Sequence, residues 1–159
     1  NLTQMLIEAG ADRDALNRDG QTVLHVAIAE EHSNVAVFLI RHLTDEAPTV
    51  LTVGDQLGRN TALHLAALKG REVEIANMLD ALNRTGGETA PLNSLGHNPL
   101  HCAVMNQRDD VAAVSLLCRE YAEHKPHLLA PKYLDATSPR DLAEAIGRPD
   151  FVRELDAHR

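Results

Sequence analysis

Four hexapeptides recur along this chain of 159 residues, and they constrain its fold more than any other feature. They are Thr22-Val23-Leu24-His25-Val26-Ala27, Thr61-Ala62-Leu63-His64-Leu65-Ala66, Asn98-Pro99-Leu100-His101-Cys102-Ala103 and Ser138-Pro139-Arg140-Asp141-Leu142-Ala143. Each opens on a residue able to cap a helix and carries Ala five positions later; three carry His three positions after the start. Successive starts lie 39, 37 and 40 residues apart. A chain with this self-similarity is built from one supersecondary unit, repeated, whose apolar faces are buried by stacking on their neighbours.

The unit can be read from its internal phase. Nine positions after each start the helical pattern breaks, at Glu31, Gly70, Gln107 and Gly147. A second apolar-periodic segment follows each break: Val35 to Ile40, Ile75 to Leu82, Val111 to Leu117 and Phe151 to Leu155. The spacing predicts a short helix, a tight turn and a second helix, with about ten residues or fewer per helix. Pro99 and Pro139 fall at the first helical position, where a missing N–H costs nothing. Gly70 and Gly147 suit a left-handed residue closing the first helix. Leu24, Leu63 and Leu100 are expected to point into the stack, and the small Ala27, Ala66, Ala103 and Ala143 to let paired helices approach. Aromatic residues make up only 3% of the chain. The core must therefore be aliphatic, which favours close-packed helices over a sheet sandwich.

This pattern resembles the ankyrin family, whose first helix carries Thr-Pro-Leu-His-x-Ala. Met5-Leu6-Ile7-Glu8-Ala9-Gly10-Ala11-Asp12 resembles the end of an ankyrin second helix and the loop after it, and Gly10 stands twelve residues before Thr22. The resemblance covers nearly all of the chain. It implies an all-α solenoid in a single domain over residues 1–159, opening with the end of one repeat (1–21). Four successive repeats follow, at about 22–60, 61–97, 98–137 and 138–159. Ankyrin units usually have about 33 residues. The surplus here is placed in the connections His42 to Asn60, Asn83 to His97 and His124 to Thr137. The segment around Ala47-Pro48-Thr49 is expected to project or to continue a helix, and to be removable without unfolding the stack. Arg140 and Asp141 replace the apolar and His positions in the last repeat, as suits an end that meets water.

The chain carries few signs of catalysis. There is no phosphate-cradling loop, no nucleophile elbow and no His-Glu-x-x-His. Glu30 and Glu31 are adjacent at a helix end and diverge. His25, His64 and His101 share one repeat position, where the family resemblance implies hydrogen bonds between neighbouring loops. His32 and His42 are expected to flank a second helix, and His124 and His127 to lie in a loop. Cys102 and Cys118 sit in apolar stretches without zinc spacing. They point to a reduced, intracellular setting, cytoplasmic or nuclear, which makes the sequons at Asn1 and Asn83 chance matches. No apolar run reaches the ~20 residues of a membrane span. The opening at Asn1 rather than Met suggests a piece of something longer. The net charge of −8 disfavours nucleic acid and would suit a basic protein partner. No cofactor or metal is expected.

The resemblance implies a non-enzymatic surface for binding another protein, on a concave face lined by first helices and loop tips. Its exposed positions are expected at Arg18, Asp19, Gln21, Ala29 and Glu30, then Arg59, Asn60, Leu68 and Lys69, then Leu95, His97, Met105 and Asn106. Leu68 and Met105 are the apolar pair among them, unless a long loop covers them. Binding on the second helices would instead involve Glu74, Asn77 or Arg119. The irregular repeats and acidic surface are similar in style to inhibitor-of-NF-kappa-B proteins, which suggests inhibition or scaffolding of a transcription factor. The alternatives are the targeting arm of a multidomain enzyme, or a bacterial or viral effector that mimics a host ankyrin protein.

Overall fold

The computed structural model describes residues 2–43, 49–108, 110–129 and 138–158. Among them there are helices and turns and no strand. The first helices are α2 (Val23–Ala29), α5 (Ala62–Leu68), α7 (Pro99–Val104) and α9 (Pro139–Ala145). Each starts one residue after its hexapeptide start, which serves as the N-cap. The second helices are α3 (Ser33–Leu43), α6 (Glu72–Thr85), α8 (Ala112–His124) and α10 (Pro149–Ala157). A lone helix, α1 (Leu2–Glu8), precedes them, and a short one, α4 (Thr49–Thr52), lies in the first long connection.

Each helix packs against its partner within a repeat and against its equivalent in the next. The result is two rows, α2–α5–α7–α9 and α3–α6–α8–α10, with the core between them. Leu24, Leu63 and Leu100 lie within it, and so do the four alanines of the hexapeptides. Ala62, Ala66, Ala67, Ala103 and Ala113 line the contacts of the central repeats, where a larger side chain would hold the rows apart. Tyr121 is the largest fully buried side chain, and its hydroxyl donates to the Thr89 carbonyl at 2.9 Å. That bond folds the connection after α6 back onto α8.

Capping explains why the hexapeptides take the form they do. The Thr22 N–H donates to His25 Nδ1 at 3.2 Å, and the Thr61 and Asn98 N–H groups do the same to His64 and His101. The imidazole thus stands where a capping box ordinarily places a carboxylate or amide. In the last repeat Asp141 takes over: Ser138 Oγ accepts from the Asp141 N–H at 3.1 Å and donates to its carboxylate at 2.7 Å. Losing the histidine therefore leaves the cap intact.

Several expectations need correction. The second helices α3, α6 and α8 have 11, 14 and 13 residues, longer than the ten expected. Much of the surplus per repeat therefore lengthens helices rather than connections: His42 lies inside α3 rather than flanking it, His124 ends α8, and His127 lies in a short 3-10 turn, Pro126–Leu129, rather than in a loop. The first long connection is also not peripheral, since α4 buries Val50 and Leu51 in the core. Thr49 opens α4, while Ala47 and Pro48 lie outside the described residues.

An arginine ten positions after the hexapeptide start fastens one repeat to the one before. Arg71 Nη2 donates to the Glu31 carbonyl at 3.4 Å, and Arg148 Nη2 to the Asn106 carbonyl at 2.9 Å. The aliphatic part of Arg108 lies over Gly70. Each arginine thus meets the exit of the preceding first helix, where carbonyls lack helical partners.

Candidate functional site

The loops before α2, α5 and α7 share one construction. Asn17 Oδ1 accepts from the N–H groups of Asp19 and Gln21, and Asn93 Oδ1 from those of Leu95 and His97. Asp55 does the same for Gly58 and Asn60 across a turn one residue longer. Neighbouring tips are joined by backbone bonds, Gln56 N–H to the Asp19 carbonyl at 2.9 Å and Ser94 N–H to the Gly58 carbonyl at 2.8 Å. The histidines tie the tips to the stack from below. His25 Nε2 donates to the Asn60 carbonyl at 2.8 Å, and His64 Nε2 to the His97 carbonyl at 2.9 Å.

Burial holds the pKa of both histidines below the usual imidazole value. The neutral ring has one donor and one acceptor nitrogen, and the site uses both. Protonation would turn the Nδ1 acceptor into a donor facing a backbone N–H. Cys102 and Cys118 are buried, and burial pushes both thiols up to about 12. They behave as small apolar core groups, because the thiolate is the reactive form.

The expected binding residues fall into distinct surroundings. Arg18, Asp19, Glu30, Arg59 and Leu95 are exposed, Leu95 at 74%. Gln21, Ala29, Lys69, Leu68 and Met105 are half-buried, and the last two rest on the core. Asn60 and His97 are half-buried and already engaged through their carbonyls; the His97 ring also stacks on His101 at 4.9 Å. Asn106 departs from expectation, being 0% exposed. Its amide donates to the Asp110 carbonyl at 3.1 Å, so it shapes the turn into α8 and does not face a partner. Among the second-helix alternatives, Glu74 is also buried. It accepts from the Ser33 hydroxyl, and from Arg71 Nε at 3.3 Å. Asn77 accepts from Arg41 Nε at 3.1 Å, and Arg119 is exposed.

Sequence reasoning passed over the middle of the same face. Val23 and Val26 are 40% and 39% exposed, and Leu65 and Leu142 are half-buried at the matching helical phase. Leu57 joins Leu95 at the loop tips, 80% exposed. The signal was partial: position four is Val26, Leu65 and Leu142 in three repeats, but the third carries the buried Cys102, and Ala62, Pro99 and Pro139 at position one are buried. On α2 the valines are thus exposed, while Leu65 and Leu142 rest on the core and leave only part of their surface open.

The family profile described as ankyrin repeats, in three copies, matches residues 1–84. The chain belongs to the ankyrin-repeat family. It is 30% identical to mouse rabankyrin-5 over 152 residues and 31% identical to human rabankyrin-5 over 153. Each alignment takes in 96% of this chain but only 12% of the relative. Among solved structures, an ankyrin repeat domain from Acinetobacter baumannii AYE superposes with a TM-score of 0.72 at 21% identity. That superposition covers 98% of this chain and 73% of the other. Ankyrin repeats are protein–protein interaction modules, and that general role is the one this chain shares. Among the described residues, no helix is long and apolar enough to cross a membrane.

Proposed function

We propose that this chain binds a partner protein through the face of its first helices, with an apolar centre and the loop tips as margin. The observation that carries this reading is the aliphatic stripe of Val23, Val26, Leu65, Leu68, Met105 and Leu142. Val23 and Val26 are exposed, while Leu65, Leu68, Met105 and Leu142 rest on the core with part of their surface left open to a ligand. Charges around the stripe are mixed, Asp19 and Glu30 standing with Arg18, Arg59 and Lys69. That favours contact led by apolar burial, with charge setting orientation. Holding a basic localisation segment, as inhibitor-of-NF-kappa-B proteins do, calls for a receiving surface of one sign; the first-helix face supports it less well than it supports an apolar contact.

The test is affinity capture from extract with the purified chain and three variants of equal net charge. Leu68→Asp and the more exposed Val26→Asp should each cost the captured protein about 2 kcal/mol or more. Val73→Asp, an exposed change on α6 in the other row, should cost nothing. Circular dichroism confirms that all three are folded. Equal retention by all variants would show that the partner uses another surface.

A further inference from the structure

Between the second helices of the two central repeats runs an open groove of about 380 Å³. Its floor is Ala76 and Leu79 from α6 and Leu116 from α8. Asp80 stands on one wall; Glu120 and Glu123 stand on the other, with Arg119 the sole cation among the lining residues. The two helices contribute at the same spacing, positions 76, 79, 80 and 83 from α6 and 116, 119, 120 and 123 from α8, so one face of each looks into the groove.

The equivalent seam between α3 and α6 is bridged by side chains. There Ser33 donates to Glu74, Arg71 reaches both Glu74 and the Glu31 carbonyl, and Arg41 donates to Asn77. In the α6–α8 groove Asn83 Nδ2 donates to Glu120 Oε1 at 2.9 Å, and His124 Nδ1 lies 3.4 Å from the same oxygen. Neither contact supplies Asp80 or Glu123 with a cation, and both of these residues are exposed.

We infer that this groove receives a basic segment of another protein, one carrying an aliphatic side chain between lysines or arginines. The aliphatic group would cover Ala76 and Leu116, and its flanking cations would meet Asp80 on one wall and Glu123 on the other. Charge complementarity selects the occupant: three carboxylates against one guanidinium repel phosphate-bearing ligands, and the apolar floor gives a bare polycation nothing to bury. The surface lies on the second-helix row, apart from the first-helix face, so its occupant need not be the partner proposed for that face.

The experiment titrates the full chain with a fluorescein-labelled peptide of alternating leucine and lysine, followed by anisotropy. Its mirror carries glutamate in place of lysine. The lysine peptide should bind at low salt and weaken as salt is added, and the glutamate peptide should not bind. The double variant Asp80→Lys with Glu123→Lys should lose about tenfold or more in affinity. A control, Glu8→Lys with Asp12→Lys, makes the same change in net charge on exposed residues elsewhere and should lose less than about twofold. Ala76→Gln fills the floor without changing charge and should also weaken binding. Equal losses in the two lysine variants would reduce the attraction to net charge, and either that result or no binding by the unaltered chain would overturn the assignment.

Discussion

Glu31 holds a conformation that its neighbours in the repeat give to glycine. Its φ is +59°, while Gly70 and Gly147, at the same position of other repeats, have +62° and +72°. A side chain in the left-handed region costs roughly 1 kcal/mol relative to glycine. The Glu31 carboxylate gains little in return, because its contact with Arg71 is at 3.9 Å and largely exposed. Glu31→Gly should therefore raise stability by about 1 kcal/mol, seen as a higher denaturant midpoint at unchanged slope. A lower midpoint would mean that the ion pair outweighs the backbone. The break at position nine could be read from the sequence, but its strain could not, since nothing in Glu-Glu-His marks a left-handed residue. Asn106 misled for a related reason: asparagine suits an exposed face or a buried turn equally, and only the packing of α8 and Arg148 around it decides.

Helices show the same division between what local chemistry encodes and what packing adds. The first helices were legible almost to the residue, because capping and the Leu and Ala positions are all local signals. The second helices are longer than their apolar periods suggest, since Ala81 to Thr85 and Arg119 to His124 mix polar and apolar residues; α6 ends on the left-handed Gly86, a stop the period alone does not mark. The connection after α6 folds back against α8, where the Tyr121 hydroxyl donates to the Thr89 carbonyl. Helix α4 was missed because Thr49-Val50-Leu51-Thr52 is too short for a period and rich in β-branched residues. Packing tolerance at this scale is narrow. Ala66 has no exposed surface and sits where α5 meets α6 and α7. Ala66→Leu should destabilise the chain by about 1 to 3 kcal/mol through overpacking, measured by thermal or urea unfolding. Unchanged stability would require a different helix register.

Across the whole molecule, the histidine ties give stability a pH dependence of definite sign. Burial lowers the folded pKa of His25 and His64 below the ordinary 6.5. Between that value and the folded one, the unfolded chain binds more protons than the folded chain, so protonation favours unfolding. Their contribution is complete above about pH 6.5 and is lost as pH falls below it. Urea midpoints should thus hold level from pH 8 to 7 and drop from 6.5 towards 5, with a shallower drop in His64→Gln. A flat profile across that range would mean that both rings protonate in place.

We propose that the two rows of helices divide the work: the first-helix face holds the captured partner, and the second-helix row, with its α6–α8 groove, is left free by that partner. Hydrogen–deuterium exchange of the chain, alone and saturated with its captured partner, tests this most directly. Protection is predicted in α2, α5 and α7 and at the loop tips around Asp19, Leu57 and Leu95, with α3, α6 and α8 unchanged. Protection confined to the second-helix row, with the first helices exchanging as in the free chain, would contradict it.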